Sequence, residues 1–160
     1  RFLWGYWTMV NRLLAVILGA TACMSAIADG DGDATTVFND YCAACHQPEG
    51  VGTPGLAPPL AGTAVWQKLG KEDAQRYFFG VLQAGLSGTL NIDGMGYYGL
   101  VMPPQKHLSG QQALMLADYV LNDLNGLDIT PSASIYETVK SDSSITHNSL
   151  MALRKHVGKH

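Results

Sequence analysis

Residues 42–46 read Cys-Ala-Ala-Cys-His, and no other stretch of the chain constrains its fold as tightly. Thiols at i and i+3 share one side of a helical turn. The histidine that follows stands beside them. This is the attachment spacing of a c-type haem. Each thiol can form a thioether with one vinyl group of the same porphyrin, and the imidazole can reach the iron. The expectation is one covalent haem c, joined through Cys42 and Cys45, with His46 as an axial iron ligand.

Competing uses of the same residues fare worse. A thioredoxin-like Cys pair sits after a strand in a βαβ unit, and nothing before residue 42 reads that way. A structural zinc site takes four ligands. The sequence holds three cysteines, and the third, Cys23, lies in an apolar N-terminal segment.

The flanks read as helices. Ala34, Phe38 and Cys42 recur every four residues and share one face. Farther on, Ser109 is an N-cap with Gln112 at the third helical position, a capping box, and Leu108 with Ala113 forms a staple. Leu114, Ala117, Val120 or Leu121, and Leu124 supply the apolar stripe, and Asn125-Gly126 the stop. Between these helices, Met102-Pro103-Pro104 is the candidate for the second axial position. A thioether is soft, neutral and favours ferrous iron, and the prolines stiffen the loop that presents it. Met95 and His107 are rivals for that position. Met115 falls within the closing helix and reads as core.

With these residues assembled, residues 33 to 125 resemble the class I c-type cytochromes. The likeness rests on Phe38, on Cys42 through His46, on Ala57-Pro58-Pro59-Leu60-Ala61-Gly62, on Met102-Pro103-Pro104 and on Asp118-Tyr119-Val120. The resemblance implies an all-α fold, three to five helices packed around one covalent haem. It also implies that the Pro58 carbonyl accepts a hydrogen bond from the second nitrogen of the iron-bound imidazole, an arrangement that fixes the tautomer. Ala34 stands where many members have glycine, which implies a slightly wider helix contact or a shifted crossing point. The Gly-rich stretch through residues 78–103 looks closest to cytochrome subunits that serve dehydrogenases.

Three regions are expected. Residues 1–28 combine an upstream extension with a basic, then apolar, leader ending in Ala26-Ile27-Ala28, an A-x-A cleavage pattern. Residues 29–128 form the haem domain. Residues 129–160 read as a linker, from Pro131-Ser132-Ala133-Ser134, followed by a short amphipathic helix with Leu150, Leu153 and Val157 on one face. Cleavage after Ala28 places the protein in an oxidising, periplasmic compartment, where both remaining cysteines are used by haem. A membrane is a partner only if the N-terminal segment is retained. His147, His156 and His160 in the tail read as solvated side chains.

Charge narrows the partners. Without residues 1–28 the chain keeps eight of its ten basic residues against thirteen acidic ones. Within residues 29–130 the balance is eleven acidic to four basic (Lys68, Lys71, Arg76 and Lys106). Nucleic acid is disfavoured, and a redox protein with a basic patch is steered in. Axial saturation by His46 and Met102 points to an electron-transfer protein, not an enzyme, exchanging with a dehydrogenase, reductase or oxidase. A haem enzyme or gas sensor with a vacant or displaceable sixth position is the alternative.

Overall fold

The computed structural model describes residues 32–157. The leader, its cleavage point after Ala28, Cys23 and His160 lie outside the described residues. Six α-helices and one two-stranded sheet make up the described chain. The order is α1 (Ala34–Tyr41), α2 (Ala43–His46), a 3₁₀ turn (Pro48–Gly50), α3 (Ala64–Ala84), β1 (Leu86–Ile92), β2 (Met95–Met102), α4 (Gly110–Asp118), α5 (Ala133–Ser141) and α6 (His147–Val157). Among the described residues no helix is long and apolar enough to cross a membrane.

Side-chain caps start α1 and α4. Asp33 Oδ1 accepts from Thr36 N at 2.9 Å and opens α1. At α4, Ser109 Oγ accepts from Gln112 N at 3.1 Å while Gln112 Oε1 accepts from Ser109 N at 2.9 Å, the reciprocal box. Leu108 and Ala113 are both buried beside it. Helix α3 is broken at Gly70, whose φ of 72° and ψ of 174° are not helical. A side chain there costs strain that glycine avoids.

Helix α1 packs on α4, and the Phe38 ring lies 5.1 Å from that of Tyr119, the residue after α4. Phe38, Phe79, Leu116, Val120 and Leu121 are fully enclosed in the same core. Truncating an aromatic so enclosed costs about 3–5 kcal/mol. After Asp118 the helix widens into a π turn, Tyr119–Asp123, closed by Leu124 N donating to Tyr119 O at 2.9 Å. Asn125, just beyond it, donates through Nδ2 to both Leu60 O and Val120 O, which ties the helix end to the loop after α2.

Strands β1 and β2 form one antiparallel hairpin. Leu86 pairs with Met102 at its open end and Ile92 with Met95 at the tip, with an irregularity between Gly88 and Leu90. Asp93 and Gly94 both take positive φ at the turn, as a primed turn requires. Leu90, Ile92 and Tyr97 form a small cluster on its inner side, while Tyr98 is exposed.

Residues 129–157 differ most from expectation. Instead of a linker and one short helix they make two helices. Pro131-Ser132 is a helix start: Ser132 caps α5 through its side chain, and its own N–H donates to Gln75 Oε1 of α3 at 2.8 Å. Tyr136, Val139 and Leu150 are buried in the main core. The Leu150 side chain lies so close to Gly80 that a Cβ there would meet it at 2.5 Å. Among the described residues, α5 and α6 therefore pack into the same core as the helices before them.

Candidate haem site

Helix α1 ends as Cys42 turns, and α2 continues for one turn. His46 N and Cys45 N both donate to Cys42 O, at 2.9 and 3.2 Å. That single turn fixes the spacing of the two thiols and the imidazole. The chain then breaks sharply at Gln47, where φ is 61° and ψ 157°. The following loop is tied back on itself. Gly52 N donates to His46 O at 2.7 Å, and Thr53 exchanges backbone bonds with Ala57 at 2.8 and 2.9 Å. Thr53 Oγ1 donates to Cys45 O at 3.0 Å. Leu60 N and Ala61 N both donate to Gly50 O.

This folding-back delivers the Pro58 carbonyl to His46 Nδ1 at 2.9 Å. A carbonyl only accepts, so Nδ1 carries the proton. Nε2 of the neutral ring is then left with its lone pair, the form that ligates a metal. His46 is 6% exposed. Burial pushes its pKa down, and the Pro58 bond offsets that only in part, so the ring is held neutral. Burial acts on Cys42 too and pushes its thiol up to about 11. A redox-active Cys pair needs a depressed thiol pKa; the shift here is the opposite.

Met102, the last residue of β2, approaches from the other side of the sequence. The ladder holds it opposite Leu86. Gln105 N donates to Leu82 O at 2.7 Å and fastens the segment after it to the end of α3. Gly85, with φ of 69°, allows this close approach, because a Cβ would strike the Met102 carbonyl.

Cys42, Cys45, His46, Pro58 and Met102 all line one cavity of about 280 Å³. The rest of its wall is mainly apolar, with Trp66, Phe78, Leu82 and Val120 among the contributors. Trp66 is fixed by Nε1 donating to Leu60 O at 2.8 Å. Two thiols on one turn, an imidazole with Nδ1 engaged, a thioether and an apolar wall are the donor set and surroundings that a covalent haem requires. The rival ligands stand elsewhere: Met95 is half-exposed, Met115 packs in the core, and exposed His107 stacks on Tyr41 at 5.1 Å between ring centroids. None of the three lines the cavity.

One wall residue escaped sequence reasoning. Arg154 of α6 reaches the cavity and donates to the Tyr77 hydroxyl at 3.5 Å. It lies 77 positions from Tyr77, and no local pattern announces a contact that depends on how α6 packs back on α3. His147, also on α6, is not free in solvent: its Nδ1 accepts from Ser87 N of β1 at 3.1 Å.

The tight loop yields a prediction. At Gly52, φ is 75° and a Cβ would lie 2.5 Å from Pro59 N and 2.7 Å from the Pro58 carbonyl carbon. Gly52→Ala must push Pro58 away from His46, whereas Gly55→Ala, at φ of 78° with open space around it, meets only backbone strain. The expected loss is about 1–3 kcal/mol for Gly52→Ala and less for Gly55→Ala, read from denaturant midpoints. Equal losses would mean that the Pro58 contact carries no weight.

The family model for cytochrome c matches residues 33–123. One cytochrome c-552 of Thermus thermophilus is 37% identical over 93 residues, covering 58% of this chain and 58% of that protein. Another cytochrome c-552 from the same species is 47% identical over 60 residues, covering 38% and 45%. The fructose dehydrogenase cytochrome subunit of Gluconobacter japonicus is 28% identical over 111 residues, covering 68% of this chain and 22% of that protein. The matched stretch thus spans about half the length of the two cytochromes and less of the dehydrogenase subunit. Because the family match takes in more than half of the sequence, and every residue of the attachment turn falls inside it, the chain belongs to the cytochrome c family and its cofactor is covalent haem c.

Proposed function

We propose that this protein is a single-electron carrier, with Cys42 and Cys45 as the thioether attachments and His46 and Met102 as the axial ligands. When bound, haem c supplies a one-electron ferric–ferrous couple. The chain's own residues do the rest. Pro58 orients His46 and keeps Nε2 available, and Met102 offers a neutral sulfur that favours the reduced state. The apolar wall around Trp66 and Phe78 keeps water away, which also favours the less charged, ferrous form. The observation that carries the reading is the convergence of His46 and Met102 on one cavity, since a saturated iron has no position for a substrate.

The acidic balance of residues 29–130 fits a redox partner with a basic face, met briefly and with a rate that falls as salt rises. A dehydrogenase is the favoured donor, supported by the likeness to a dehydrogenase cytochrome subunit; reductases and oxidases are the other classes. Export to the periplasm is part of the proposal and is supported by the leader-like composition of residues 1–28.

Carbon monoxide tests the carrier reading against a haem enzyme or gas sensor. Reduced protein at neutral pH should keep its spectrum unchanged over minutes under carbon monoxide. Rapid conversion to a carbonyl spectrum would overturn the carrier assignment.

A further inference from the structure

The haem cavity adjoins a second, more polar one of about 300 Å³, and the two share Val65, Ile92 and Arg154. The second cavity adds Lys68 of α3 together with Asn91, Asp93 and Gly94 at the hairpin turn. Arg154 is half-buried, and Tyr77, to which it donates, is itself 3% exposed in the wall of the haem cavity. Among the described residues no carboxylate pairs with Arg154: the ion pairs are Lys71 with Asp128 and Arg76 with Glu72. A half-buried guanidinium facing an apolar cavity is costly unless an anion meets it.

Haem c carries two carboxylates, on the half of the ring away from its thioether bonds. Cys42 and Cys45 reach the cavity from the α1–α2 turn, whereas Arg154 reaches the shared wall from α6 and Lys68 lines the adjoining polar cavity from α3. We propose that Arg154, assisted by Lys68, binds the haem propionates, so that the C-terminal helix beyond the family-matched residues is a working part of the haem site. The proposal rests on the haem-carrier reading above. An arginine fork suits a carboxylate in a way an ammonium does not. Asp93 is the opposing charge in the polar cavity, and two cations facing one carboxylate leave a net positive wall. The Tyr77 hydroxyl, in the wall of the haem cavity, accepts a long hydrogen bond from the guanidinium.

Three variants of the full holoprotein test this: Arg154→Gln, Arg154→Lys and Lys68→Gln. The readouts are the midpoint potential and the propionate-bending band in resonance Raman spectra. Removing a nearby cation favours the ferric form, so Arg154→Gln should lower the potential and move the band. Lys68→Gln should lower the potential by less, and Arg154→Lys should recover part of the potential but not the band. An Arg154→Gln holoprotein with the wild-type potential and band would overturn the proposal. Should that variant fail to accumulate, an unmoved band in Arg154→Lys together with an unchanged potential in Lys68→Gln would do the same. Loss of all colour from the wild type on acid–acetone extraction would instead remove the covalent-haem reading, whatever Arg154 does.

Discussion

Acid–acetone should extract every trace of haem from a Cys42→Ala/Cys45→Ala double variant, while the wild type keeps its colour on the denatured polypeptide. The two thiols differ in setting. Cys42 is partly buried, with its pKa pushed up to about 11, and Cys45 is exposed. They are nonetheless held by the same turn, through bonds to the Cys42 carbonyl. Each single variant should therefore retain one thioether and stay coloured after extraction. With the proposed axial ligands His46 and Met102, the double variant should become a reversible haem binder. Its thermal midpoint should then rise with added haem, since a ligand that binds only the folded state stabilises it by mass action, whereas the wild-type midpoint should not. Retention of haem by the denatured double variant would mean that Cys42 and Cys45 are not the points of attachment.

The site was legible in the sequence where its geometry is local. Two thiols and an imidazole within five residues need only one turn to converge, and the capping box at Ser109 and Gln112 needs only its own first turn. What stayed hidden depends on packing between distant segments. Pro131-Ser132 looks like a linker because the same small polar residues serve loops and helix caps. Only the bond from Ser132 N to Gln75 of α3 distinguishes the two. Arg154 reads as one more surface cation until Leu150, one turn earlier, is seen buried against Gly80. Met102 falls between these cases. Its type and its prolines marked it, but separating it from Met95 and His107 required the hairpin, whose register turns Met95 outward at the tip and leaves Met102 at the cavity.

That separation makes Met102 the position where a small change should have the largest effect on redox behaviour. Met102→Leu keeps volume and apolar character, so its packing cost should stay under about 1.5 kcal/mol, but it removes the sulfur lone pair. The ferric spectrum should lose the methionine-to-iron charge-transfer band at its red edge. The midpoint potential should fall by roughly a few tenths of a volt, within the ≈ 0.8 V range that axial ligands command, because a soft, neutral sulfur no longer favours ferrous iron. Carbon monoxide should now bind the reduced protein quickly. The same substitution at half-exposed Met95 should change none of the three. Changes at Met95 with Met102→Leu silent would transfer the ligand to the hairpin tip, and that would require the register that pairs Leu86 with Met102 to be broken in the loaded protein. A silent result at both positions would leave the sixth site to a non-methionine group and favour the enzyme or sensor reading over the carrier.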